Sequence, residues 1–130
     1  MLRRKPPKGR TRKELGRIAE EHAARYLASR GYRIRERNFR TRGGEVDIIA
    51  EHHGALAFVE VRARSSSDFM SPLESVTTTK QRRITRAANS YVSTRERRER
   101  IMRYDVVEVF LTPAGRVERI NVVEGAFGGT

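Results

Sequence analysis

Two acids stand where a β-sheet would ordinarily carry aliphatic residues. One is Asp47, within Glu45-Val46-Asp47-Ile48-Ile49-Ala50, and the other is Glu60, within Phe58-Val59-Glu60-Val61-Arg62. Between them lies His53-Gly54, a dipeptide suited to a two-residue hairpin turn. Residues facing each other across such a hairpin have numbers that add to a constant. His52 then faces Ala55, Asp47 faces Glu60 and Glu45 faces Arg62, with Cβ atoms about 4.5–5.5 Å apart. Two carboxylates at that separation repel, and folding alone gives no reason for the pairing. A divalent cation reverses the sign: Mg²⁺, or Mn²⁺ in its place, takes one or two carboxylates completed by water and a phosphate oxygen. The other reading is of two solvated acids at a strand end, neutralised by Arg62 and other arginines. A register slip of one residue would separate the pair.

Two further side chains could join them. Glu20 falls beside Ala23 and Leu27 on a helical wheel, at the edge of an apolar stripe, so its carboxylate could reach over a sheet towards Asp47. From the helix alone, an ordinary surface glutamate is the default. Lys80 shares a helical face with Ile84 and could reach inward, although a solvated first-turn lysine is its default.

The elements that must position these groups follow from periodicity and punctuation. Thr11-Arg12-Lys13-Glu14 fits a capping box, Leu15, Ile18, Ala19, Ala23, Tyr26 and Leu27 recur at helical spacing, and Gly31 is a natural stop. Strands are predicted over 32–38, 45–50 and 55–63, with a Ser-rich loop over 64–72. A second capping box is read at Thr78-Thr79-Lys80-Gln81, opening a helix whose apolar face is Ile84, Ala87, Ala88, Tyr91 and Val92. Strands over 104–111 and 117–123 close the chain around Pro113-Ala114-Gly115. The order α-β-β-β-α-β-β predicts an α/β domain, a mixed central sheet flanked by helices. Residues 1–10, with Arg3, Arg4, Lys5, Lys8 and Arg10 and no acid, read as a flexible basic arm ahead of one domain over 11–125.

Charge narrows the partner. The 130 residues carry a formal net charge of +12, and a domain this basic attracts polyanions, of which nucleic acid is the commonest. Arg82, Arg83 and Arg86 crowd the second helix and, with Arg40 and the arm, form a candidate phosphate-tracking surface. The absence of cysteine excludes disulfides and thiolate metal sites. No apolar run approaches the eighteen or so residues of a membrane span and no signal-peptide pattern is visible, so a cytoplasmic location without membrane partners is expected. His52 and His53 are better explained by the hairpin tip than by a metal. No phosphate-binding Gly-rich loop opens a helix, which argues against a nucleotide-binding enzyme.

Several ordered segments resemble one family. Gly16-Arg17-Ile18-Ala19-Glu20-Glu21-His22-Ala23-Ala24-Arg25-Tyr26-Leu27 resembles the opening helix of the YraN-like family of small bacterial proteins. Asn38-Phe39-Arg40 with the run from Gly44 to Ala50, then Phe58 to Arg62, then Thr79-Lys80-Gln81-Arg82-Arg83, resemble its later signatures. The likeness spans about Leu15 to Val109. It implies a restriction-endonuclease-like core of the PD-(D/E)XK superfamily, in α-β-β-β-α-β order, with archaeal Holliday junction resolvases as relatives. It also implies Asp47 and Glu60 as metal ligands, the Val61 carbonyl as a further ligand and Glu20 as the helix-borne acid. The expected activity is Mg²⁺- or Mn²⁺-dependent cleavage of DNA, branched or flapped, with RNA as the second candidate and a homodimer compatible with paired cuts. The family normally carries lysine where this chain has Arg62, and arginine cannot act as a general base. Three outcomes stay open: Arg62 supplies the positive charge, Lys80 substitutes, or catalysis is lost and a nucleic-acid-binding module remains.

Overall fold

The computed structural model describes residues 9–128, so Arg3, Arg4, Lys5 and Lys8 of the basic arm lie outside the described residues. Helix α1 (Arg12–Ser29) begins where the capping box places it. Thr11 Oγ1 accepts the Glu14 N–H and Glu14 Oε1 accepts the Thr11 N–H, each at 3.1 Å. Such a cap contributes about 1 kcal/mol. Ala19, Ala23 and Leu27 are fully buried along one stripe, and Gly31 turns the chain out of the helix at φ +88°.

Five strands form one sheet in the order β1-β2-β3-β4-β5. β1 (Arg33–Thr41), β2 (Gly44–His52) and β3 (Ala55–Arg64) make an antiparallel meander. Helix α2 (Thr78–Arg95) then crosses over, so that β4 (Ile101–Leu111) pairs parallel to β3, and β5 (Val117–Phe127) returns antiparallel on β4. β3 is central, and Ala55 to Val61 is buried without a break because a helix covers each face. α1 packs with Ile48, Val59, Val107 and Val109 on one face. α2 packs with Ile49, Phe58 and Val106 on the other. This is the predicted α/β class, and it is consistent with a restriction-endonuclease-like core.

Three local expectations are corrected. β1 starts after Tyr32, whose N–H is taken by Leu27 O at 3.0 Å, and runs on to Thr41 through Asn38, which adopts φ +52°. The cap of α2 is Thr77 rather than Thr78, accepting the Lys80 N–H at 3.2 Å. Lys80 thus occupies the third helical position, and Gln81 donates instead to Val76 O at 3.0 Å. β5 extends beyond Val123, because Tyr104 finds a partner in Phe127.

Two glycines report close or open space. A Cβ on Gly44 would lie 2.6 Å from Arg83 O and 2.8 Å from Ala87 N, so the start of β2 touches the α2 backbone. Gly16, in the second turn of α1, costs the helix about 0.5–1 kcal/mol relative to alanine. A Cβ there would meet nothing within 4 Å.

Candidate metal centre

The acids sit where the sheet forks. The β2–β3 ladder runs from His52↔Ala55 to Ile48↔Val59 and stops. Beyond it β2 stays with β1 as far as Thr41↔Gly44, while β3 stays with β4 as far as Arg64↔Phe110. Asp47 and Glu60 are the first residues past the split. In place of a ladder bond, the Val61 N–H donates to Asp47 Oδ2 at 2.8 Å. The hairpin arithmetic therefore holds up to the acids and fails after them. Glu45 does not face Arg62: Arg62 lies opposite Glu108 on β4, and Glu45 accepts from Lys80 Nζ at 3.0 Å. The contact of Gly44 with α2 accounts for this, since it holds the end of β2 against the helix and away from β3.

The carboxylates stand in a row. Asp47, Glu60 and Glu20 line one cavity, and the charge of Asp47 helps to raise the carboxyls of both glutamates. Glu60 is 3% exposed, and burial, reinforced by the hydrogen bond and charge of Asp47, pushes its carboxyl up to about 9 against the pull of Lys80 and Arg62. Its Oε2 is buried with no hydrogen-bond partner among the described residues, and Lys80 Nζ stands 3.6 Å away. Half-buried Glu20 is raised by burial and then by the charge of Asp47. Lys80 points inward rather than into solvent. Burial opposes its charge, but Glu60, Glu45 and Asp47 outweigh burial and hold the ammonium protonated above its usual range. Arg62 Nε is also buried without a partner among the described residues.

Glu20, Asp47, Glu60, Val61, Arg62 and Lys80 line a single cavity of about 270 Å³, completed by Gly16, Val46, Asn38, Arg40 and Glu45. A cluster of carboxylate oxygens, one of them buried and orphaned, suits a small divalent cation, and four acids stand there against one lysine and two arginines. Sequence reasoning passed over Gly16 and Asn38. The signal for Asn38 was its residue type, since asparagine tolerates the left-handed region that the strand needs there.

Gly16, Val61 and Arg62 also line a second groove of about 490 Å³ with Arg12, Leu15 and Ala63, so the acid cavity opens onto a basic channel. Arg40 and Arg83 each stand 3.8 Å from Glu45, and Arg82 and Arg86 are exposed on α2. Arg10 is tied to the β4–β5 turn, through its N–H to Pro113 O at 2.8 Å and its Nε to Ala114 O at 3.0 Å.

A larger cavity, about 510 Å³, lies at the other end of β2, lined in part by Tyr32, His52, His53 and Glu124. Among the described residues, His52, His53 and Glu124 are the one trio of side chains whose ligand atoms lie mutually within 4.8 Å. Arg103 Nη2, however, stands 2.7 Å from His52 Nδ1, so a guanidinium charge already sits against this trio and opposes a cation there. His53 (φ +49°) and Gly54 (φ +79°) form the expected two-residue turn. Asp105, fully buried, accepts from Tyr32 Oη at 2.8 Å and from Arg103 Nε, Arg103 Nη2 and Gly125 N at 2.9 Å. This cluster reads as a structural lock between strands.

The chain resembles known proteins over most of its length. A family model described as uncharacterised protein family UPF0102 matches residues 19–109, from the stripe of α1 to β4. The UPF0102 protein of Moorella thermoacetica is 45% identical over 117 residues, covering 90% of this chain and 98% of that protein. That of Caldicellulosiruptor saccharolyticus is 42% identical over 116 residues, covering 89% and 98%. That of Trichlorobacter lovleyi is 44% identical over 120 residues, covering 92% and 94%.

Proposed function

This chain belongs to the uncharacterised protein family UPF0102, and from that premise we propose that it is a divalent-metal-dependent nuclease hydrolysing phosphodiester bonds in DNA. The observation that carries this reading is the pairing of Glu60, buried with an unpartnered oxygen, with Asp47 at the fork of the sheet. Asp47 and Glu60, with the Val61 carbonyl and Glu20 beside them, would hold Mg²⁺ or Mn²⁺. The cation, when bound, supplies positive charge to the scissile phosphate and makes the attacking water more acidic. Glu20, which lines the same cavity, would complete the site or position that water. Lys80 is held protonated by its acidic neighbours and a guanidinium is no general base, so neither Lys80 nor Arg62 takes that role. Lys80 steadies Glu60 and adds charge at the phosphate, and the guanidinium of Arg62, at the wall of the same cavity, adds positive charge there. Arg40, Arg82, Arg83 and Arg86 would bind flanking backbone, with Arg10 and the arm residues Arg3, Arg4, Lys5 and Lys8 adding to the field.

Branched or flapped DNA, with RNA second, and a homodimer for paired cuts come from the family resemblance. No helix among the described residues is long and apolar enough to cross a membrane, and work in the cytoplasm is part of the proposal. The inward position of Lys80 favours catalysis over the alternative of a binding module that lost it through Arg62. The test is cleavage of labelled branched, flapped, single-stranded and duplex DNA with Mg²⁺ or Mn²⁺ by wild type, Asp47→Asn and Glu60→Gln. Metal-dependent products lost in both variants support the nuclease. Binding without product on every substrate overturns it and leaves the binding module.

A further inference from the structure

Gly16 is a defect that the packing of the described residues does not require. It lies inside α1, where glycine weakens a helix, and a Cβ there would meet no neighbour within 4 Å among the described residues. The same residue lines both the acid cavity and the adjoining basic groove, and Val61 and Arg62 are shared between the two. Arg12, exposed one turn earlier on the same helix, and Arg62, with a buried and unpartnered Nε, stand in that groove. Bare helix backbone, two guanidinium groups and a path into the acid cavity together make a crossing for an anionic chain.

We propose that Gly16 is the floor of a strand crossing: the phosphodiester backbone of one nucleic-acid strand passes directly over α1 at Gly16, held between Arg12 and Arg62, as it enters or leaves the acid cavity. Glycine is needed because any side chain would lift the strand off the helix. The inference rests on the nuclease reading for its ligand, but it concerns binding rather than cutting.

Its test separates fold from ligand. Gly16→Ala and Gly16→Leu restore good helix formers, so both are expected to raise the melting temperature by about 2–5 °C. Binding is read by anisotropy of a fluorescein-labelled single-stranded oligonucleotide in metal-free buffer, where no cutting intervenes. Gly16→Ala is expected to weaken it roughly fivefold and Gly16→Leu roughly fiftyfold. Arg12→Gln should lower the salt slope of binding by about one. A more stable Gly16→Leu that binds as wild type does overturns the proposal. Absence of binding by wild type overturns both the proposal and the reading beneath it. Wild type that binds but never cuts, with Gly16→Leu impaired, sustains the crossing and sinks only the catalytic reading.

Discussion

The Val61 N–H donates to Asp47 Oδ2 at 2.8 Å, so a side chain stands in for the backbone partner that β3 loses where β2 turns away. The same carboxylate therefore closes the fork and faces the cavity. These two duties can be separated. Asparagine keeps an oxygen for the Val61 N–H but loses the charge, whereas alanine loses both. Asp47→Asn is expected to abolish cleavage while changing stability by less than about 1 kcal/mol, and Asp47→Ala to cost a further 1–3 kcal/mol or so for the unpaired amide. Urea unfolding beside the cleavage assay checks this; equal stability of the two variants would show that the bond contributes nothing.

Glu60 makes metal-free stability depend on pH. Its folded pKa, about 9, lies above the ordinary value of 4.5, so between these limits the folded protein holds a proton that the unfolded chain has released. The stabilising contribution is full below about pH 4.5 and is lost as pH rises through about 9. Melting in EDTA should show a falling midpoint across that window, and Glu60→Gln should flatten the profile and melt higher than wild type at pH 8. A wild-type profile that rises from pH 5 to 8 would contradict the burial of an unpaired carboxyl.

Lys80, 3.6 Å from Glu60 and 3.0 Å from Glu45, occupies the ground that Arg62 was expected to share with Glu45. Lys80→Met should lower the cleavage rate by about a hundredfold or more while DNA binding changes by less than about threefold. Arg62→Lys should retain most of the rate. If Arg62→Lys instead raises the rate strongly and Lys80→Met leaves it intact, the assignment of the working cation is reversed.

The lock around Asp105 should be the costliest polar site to break. Its carboxylate is fully buried with donors from Tyr32, Arg103 and Gly125, and Arg103 is held in turn above the normal arginine range, chiefly by its hydrogen bonds to Asp105. Asp105→Ala is expected to cost about 3–5 kcal/mol, because it strands a partly buried guanidinium. Asp105 faces Val59, the neighbour of Glu60 on β3, so metal-dependent cleavage should fall together with stability.

Gly44→Ala should behave oppositely to Gly16→Ala. Its Cβ would strike Arg83 O and Ala87 N, backbone atoms that cannot step aside, so a loss of about 2–4 kcal/mol is expected from thermal unfolding. A neutral result would mean that β2 does not rest on α2, and the explanation of the fork would fall with it.

Periodicity and capping were enough to place both helices and all five strands, because hydrophobic spacing and Thr11, Gly31 and His53-Gly54 are local signals. The hairpin arithmetic also brought Asp47 and Glu60 together, since a two-residue turn sets the register of everything that stays paired. What the sequence could not show is where pairing ends. That depends on Gly44 meeting α2, some forty residues further along the chain, and on which strand each half of the fork prefers. The inward reach of Lys80, the row of acids that includes Glu20, and the lock of Tyr32, Asp105, Arg103 and Glu124 depend in the same way on contacts between distant segments. Charge and residue type pointed to candidate residues from the sequence alone. The partners of each charge were decided by tertiary packing, because burial sets whether a carboxylate meets water, a lysine or another carboxylate.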